Sequence, residues 1–133
     1  MHASYDRIGR SYAVTRRPDP RIAALIRAAL GDADSVVNVG AGSGAYEPDD
    51  LDVIAIEPSG TMIGQRRNRN SRVVQASAEA LPLPDKSVDA ALAVSTVNHW
   101  RSLKRGLAGM QRVARKRIVI FMRDPSAGTP LWL

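Results

Sequence analysis

Apolar residues gather in five short runs along the chain, at 35–39, 53–56, 72–75, 88–94 and 118–122. Each is too short for a helix of ordinary length, and each is flanked by polar or glycine-containing stretches, the pattern of buried parallel strands. Between and before them the spacing changes to the helical period. Over 19–31, Ile22, Ile26 and Ala29, with Leu25 and Leu30 beside them, make one apolar stripe. Asp19 is placed to cap this helix, Pro20 fits its first position and Gly31 closes its far end. A second helical stretch is expected over 61–69. A third, over 102–114, carries Leu103, Leu107, Met110 and Ala114 on one face and arginines on the other. Strands alternating with helices spell an α/β fold, a doubly wound, mainly parallel sheet. Right-handed crossovers make 3-2-1-4-5 the natural strand order. The tail 124–133 reads as loop-like.

Length bounds this picture. The 133 residues suffice for one domain, 1–133, with 1–18 as an N-terminal segment leading into it. The start of the chain is polar and charged, not the apolar core of a signal peptide, and no apolar run is long enough to span a bilayer, so a cytoplasmic location is expected. There is no cysteine, which excludes disulfides, thiolate metal sites and cysteine nucleophiles. The two histidines, His2 and His99, stand far apart, and no metal site is expected.

The net charge of +6 is unevenly spread. Residues 1–34 carry six arginines against four acids, residues 35–65 carry five acids and no Lys or Arg, and residues 66–133 carry thirteen bases against four acids. The acidic, glycine-rich middle therefore differs from both flanks and marks a candidate site. Arg66, Arg67, Arg69 and Arg72 surround the second helix, and seven Lys or Arg residues lie on or beside the third. These read as two solvated helix faces on opposite sides of the sheet, not as one nucleic-acid groove, and aromatic side chains for stacking are scarce.

The candidate chemistry begins at Gly40, Ala41, Gly42 and Gly44, a glycine-rich turn directly after the first strand. Glycines there let the backbone bend sharply and approach a ligand closely. Glu57 ends the next strand. Adjacent strand ends in a doubly wound sheet form one crevice, where an acid accepts the hydroxyls of a ribose. Together they read as a nucleoside site. A dinucleotide fits poorly, because Pro48 and two aspartates leave room for one helical turn at most after the glycines. Glu47, Asp49, Asp50 and Asp52 would also repel a pyrophosphate. S-adenosylmethionine, cationic and free of phosphates, suits such an acidic mouth.

VNVGAGSG at 37–44, IAIEPS at 54–59, QASAEALPLPD at 75–85 with SVD at 87–89, and VSTVNHW at 94–100 resemble, in order and spacing, the motifs of the S-adenosylmethionine-dependent methyltransferases with a Rossmann-like fold, in their small-molecule branch. The N-terminal Tyr5-Asp6 and the Tyr12, Arg16, Arg17 cluster also resemble that family. The resemblance implies that Gly40, Ala41, Gly42 and Gly44 pass the methionine part of the cofactor and Glu57 binds the ribose. Pro58 packs on the adenine, Met62 either packs there too or belongs to the core, and Ser77 and Ala78 border the adenine edge. Tyr12 and Arg16 or Arg17 close over the cofactor, Arg on its carboxylate, unless they belong to a solvated arm. Asn38 stands where the family commonly has Asp, and Ser77 likewise. His99 is the candidate general base, with a structural or substrate-shaping role as its alternative.

The family's sheet ordinarily continues past the fifth strand, and this chain is expected to be shortened at that C-terminal end. An open fifth-strand edge is expected to be covered by the tail or by a second copy in a homodimer. The function implied is methyl transfer to a small-molecule acceptor. The alternatives are a non-catalytic binding module and an RNA methyltransferase that uses the Arg-rich faces.

Overall fold

A computed structural model of the protein describes residues 19–66, 72–123 and 130–132. The order of elements is α1 (Pro20–Leu30), β1 (Ser35–Val39), β2 (Asp52–Ile56), α2 (Gly60–Gly64), β3 (Arg72–Val74), β4 (Val88–Val94), α3 (Leu103–Val113), β5 (Ala114–Arg123) and β6 (Pro130–Trp132), with single 3₁₀ turns at Ala78–Ala80 and Val97–His99. The sheet runs β3-β2-β1-β4-β5-β6. Its first five strands are parallel, in the expected order 3-2-1-4-5. Among the described residues no helix is long and apolar enough to cross a membrane.

Both faces of the central strands are covered. Val36, Val53, Ala90, Leu92, Val119 and Phe121 face α1, which contributes Ile22, Ile26 and Leu30. Val37, Val39, Ile56, Ala91 and Ala93 face the other way, toward Met110 and Val113 of α3 and Leu81. Residue i and residue i+1 of each strand thus enter different cores, which is why these runs are apolar without alternation.

The helices depart from expectation in detail. Asp19 caps α1 as read, its side chain accepting from the Arg21 N–H at 2.9 Å, but Leu25 on the expected stripe is 42% exposed. On α3 the buried positions are Gly106, Met110 and Val113, while Leu103 is 52% exposed. The reason is Trp100. Its indole lies where a Cβ on Gly106 would stand, 2.3 Å from Cε3, so the helix turns its glycine inward. Of the stretch 61–69 expected as a helix, the described part forms the five-residue α2, bounded by Gly60 and Gly64, both poor helix formers, and residues 67–69 lie outside the described residues.

At the C-terminus the loop-like reading is corrected. Pro130–Trp132 form β6, antiparallel to β5, pairing Phe121 with Trp132, Met122 with Leu131 and Arg123 with Pro130. The tail therefore covers the end of the fifth-strand edge that lies nearest the site.

Candidate functional site

The site lies at the C-terminal edge of the parallel strands, where β1, β2 and β4 release their chains. After Val39, the N–H groups of Gly40 and Ala41 both donate to Ile56 O, at 2.8 and 2.9 Å, which stitches the glycine turn to the end of β2. Gly40, Gly42 and Gly44 have φ of 69°, 57° and 83°. At Gly40 the requirement is double, because a Cβ would also stand 2.2 Å from Thr96 Oγ1. Thr96 reaches that position because Ser95 takes a left-handed turn at φ 53° on leaving β4, while its N–H donates to Phe121 O at 2.8 Å. Thr96 is a neighbour of the turn that the spacing of motifs alone did not single out.

Glu57 is 1% exposed. One carboxylate oxygen accepts the Gly42 N–H at 2.7 Å and the other accepts the Ser59 N–H at 2.8 Å. Ser59 in turn caps α2, its Oγ accepting from the Met62 N–H at 3.2 Å. One acidic side chain thus ties the glycine turn to the start of α2. Met62 is buried at 3% with its Cε 3.0 Å from where a Cβ on Gly42 would lie, so it packs directly under the turn. Pro58 is exposed beside it, and its carbonyl accepts from Gln75 Nε2 at 3.0 Å. Ser77 is part-exposed after β3 and Ala78 is buried at the start of the 3₁₀ turn. His99 is exposed at the end of the turn that begins next to Thr96, and its N–H donates to Thr96 O at 2.9 Å. Tyr12, Arg16 and Arg17 lie outside the described residues, as does Tyr5.

The acidic mouth needs correction. Of the five acids between 35 and 65, Glu47 pairs with Arg66, Asp50 with Arg27 at 2.7 Å and Asp52 with Arg72 at 3.5 Å. Most of the negative charge is therefore answered locally, and repulsion of a pyrophosphate is a weaker argument than the sequence suggested. What remains against a dinucleotide is that residues 40–51 form turns, so no helix begins at the glycine turn to hold a pyrophosphate on its first amides.

Of the bases expected on solvated helix faces, Arg72 and those on or beside α3 are exposed, with Arg117 half-buried, whereas Arg66 departs; Arg67 and Arg69 lie outside the described residues. Arg66 is 7% exposed, its guanidinium against Glu47 and Gly42 O. Arg112 donates to Leu81 O and Leu83 O and pairs with Asp85. Arg115 pairs with Asp89, and Lys116 and Arg117 with Asp32. Arg101, Lys104 and Arg105 are exposed at the start of α3 and make no ion pair among the described residues. Among the described residues no group of three His, Asp or Glu side chains is placed to hold a metal.

A family model for a methyltransferase domain matches residues 37–122, which include the glycine turn, Glu57 and the 94–100 segment. By sequence, the tRNA (carboxymethyluridine(34)-5-O)-methyltransferase ALKBH8 of Mus musculus is 28% identical over 118 residues, 86% of this chain and 18% of that protein. By structure, a protein described as a methyltransferase from an antibiotic biosynthesis pathway of Anabaena variabilis aligns with a TM-score of 0.76 at 34% identity, covering 83% of this chain and 48% of the other. A SAM-dependent methyltransferase from Thermotoga maritima aligns at 0.67 and 29%, covering 77% and 50%. The chain thus spans about half the length of these solved relatives and less than a fifth of the mouse protein. Strand order, glycine turn, the acid at the end of β2 and the match over 37–122 agree: the chain belongs to the methyltransferase-domain family of Rossmann-like S-adenosylmethionine methyltransferases.

Proposed function

We propose that this domain binds S-adenosylmethionine and transfers its methyl group to a small-molecule acceptor. The observation that carries the reading is the buried Glu57 carboxylate, held against the Cβ-free Gly42 at the crevice of β1 and β2. A buried carboxylate at the end of the neighbouring strand, oriented by backbone N–H groups, is an acceptor suited to the paired hydroxyls of a ribose. Gly40, Ala41, Gly42 and Gly44 would line the methionine part, and Pro58, Ser77 and Ala78 the adenine. Met62 would support the turn from beneath.

When bound, S-adenosylmethionine supplies a methyl group already activated on a sulfonium. The chain's own contribution is then largely alignment, with the glycine turn and Glu57 setting the position of the bound nucleoside. His99, exposed on the loop after β4, takes the proton from an acceptor hydroxyl or amine. Shaping of the acceptor pocket is its alternative role.

A second reading has an observation of its own. Arg101, Lys104 and Arg105 stand exposed and free of ion pairs among the described residues at the head of α3, and the curated relative named above acts on tRNA. An RNA acceptor would meet these cations through its phosphates. The experiment is a transfer assay with methyl-labelled S-adenosylmethionine against pooled small acceptors and, separately, total tRNA. Label in the small-molecule pool supports the first reading, and label in tRNA replaces it with the second. Label in neither, from a chain that binds the cofactor, leaves a non-catalytic binding module.

A further inference from the structure

In doubly wound nucleotide-binding folds a helix ordinarily begins at the glycine turn and packs against it. Here residues 40–51 contain no helix, and the turn is backed by buried charge instead. Glu47 has a side chain with no exposed surface, and that of Arg66 is 5% exposed. Asn38 Nδ2 donates to Glu47 Oε2 at 2.7 Å, and one Arg66 nitrogen donates to Glu47 Oε1. The other terminal nitrogen of Arg66 reaches Gly42 O at 3.4 Å, and the same guanidinium lies 3.1 Å from where a Cβ on Gly44 would stand. Gly42 is therefore held on two sides, its N–H on Glu57 and its carbonyl toward Arg66.

We infer that Glu47 and Arg66, oriented by Asn38, are positioning residues for the cofactor site: they set the Gly42 backbone, and through its N–H the Glu57 carboxylate, in place of the missing crossover helix. The inference rests on the reading of this crevice as an S-adenosylmethionine site. A buried ion pair is a poor device for stability alone, because apolar side chains of similar volume often hold a fold as well or better. What apolar groups cannot do is donate to Gly42 O while receiving Asn38. The planar guanidinium fork can reach a carboxylate and a carbonyl together, and an ammonium, a point charge, matches that geometry poorly.

The test compares the intact chain with Arg66→Lys and with the double variant Glu47→Gln/Arg66→Met, which removes both charges at once. Three quantities are measured: the thermal midpoint, the calorimetric Kd for S-adenosylhomocysteine, and the amide resonance of Gly42. The double variant is expected to keep its midpoint within a few degrees while its Kd rises at least tenfold. Arg66→Lys is expected to raise Kd at least fivefold and to shift the Gly42 amide, leaving the amides of α1 in place. Variants that bind as tightly as the intact chain, with an unmoved Gly42 amide, overturn the inference and leave the cofactor reading standing. If the double variant does not fold, Arg66→Lys decides. An intact chain that binds no S-adenosylhomocysteine overturns the cofactor reading itself, and the positioning role with it.

Discussion

The Gly42 N–H donates to Glu57 across 2.7 Å, joining the middle of the glycine turn to the end of the neighbouring strand. The contact is buried, and the second oxygen of the same carboxylate holds the Ser59 N–H. Glu57→Gln keeps the shape but turns an NH₂ toward one of these two N–H groups. Leaving a buried donor unmet costs about 1–3 kcal/mol. Denaturant unfolding of Glu57→Gln should therefore show a loss in that range, with an unchanged slope.

Gly40 faces a different constraint. It needs positive φ, and its missing Cβ makes room for Thr96. Gly40→Ala should destabilise by at least about 1 kcal/mol from the backbone alone, and by more through the collision. Adding Thr96→Ala should return part of the loss, since residues in contact couple by about 0.5–3 kcal/mol. The double-mutant cycle measures this directly; strict additivity would show that Thr96 does not press on the turn.

His99 sits on the exposed turn beyond Thr96, outside the glycine turn and Glu57. His99→Gln should lower kcat by about 10²-fold or more if the imidazole accepts a proton, with the Kd for S-adenosylhomocysteine unchanged. An unchanged kcat assigns the residue to pocket shape.

At the opposite edge of the sheet, Asp89 of β4 accepts the Asp34 N–H at 2.9 Å and pairs with Arg115 at 2.9 Å. The Asp34 N–H foremost, and then Arg115, hold its carboxyl below the ordinary carboxylate range. A lowered folded-state pKa contributes stability that is present above the unfolded value of about 3.9 and is lost as pH falls through the folded one. Acid unfolding should therefore steepen below about pH 4, and Asp89→Asn should flatten that limb while lowering stability at neutral pH. A pH profile identical in the two proteins would remove Asp89 from the acid transition.

Much of this fold is legible in the sequence because a strand buried on both faces leaves a continuous apolar run, and four such runs stand in order; the fifth, β3, is a short exposed edge strand whose run is only Val73 and Val74. The glycine turn and Glu57 are equally plain, being tied to strand ends. Other features come from tertiary contacts that local pattern does not encode. Trp100 rotates the buried face of α3 by lying on Gly106. Arg66 stands in a run of arginines and gives no local sign that it turns inward to Glu47. Likewise, Glu47 reads as one more exposed acid until its partner is seen. Charge counted along the chain could not reveal this, since its partners are 19 residues apart. The tail shows the same limit: a three-residue strand carries too little pattern to register, and it is pairing with Phe121–Arg123 that makes it one.

Glu57 and the glycine turn together are proposed to form the binding site for S-adenosylmethionine. Calorimetric titration of the intact chain with S-adenosylhomocysteine, beside a folded Glu57→Ala variant, tests it most directly. The intact chain should bind saturably, one to one, and the variant should lose affinity at least tenfold. Absence of binding by the folded intact chain, or equal affinity in both proteins, would contradict it.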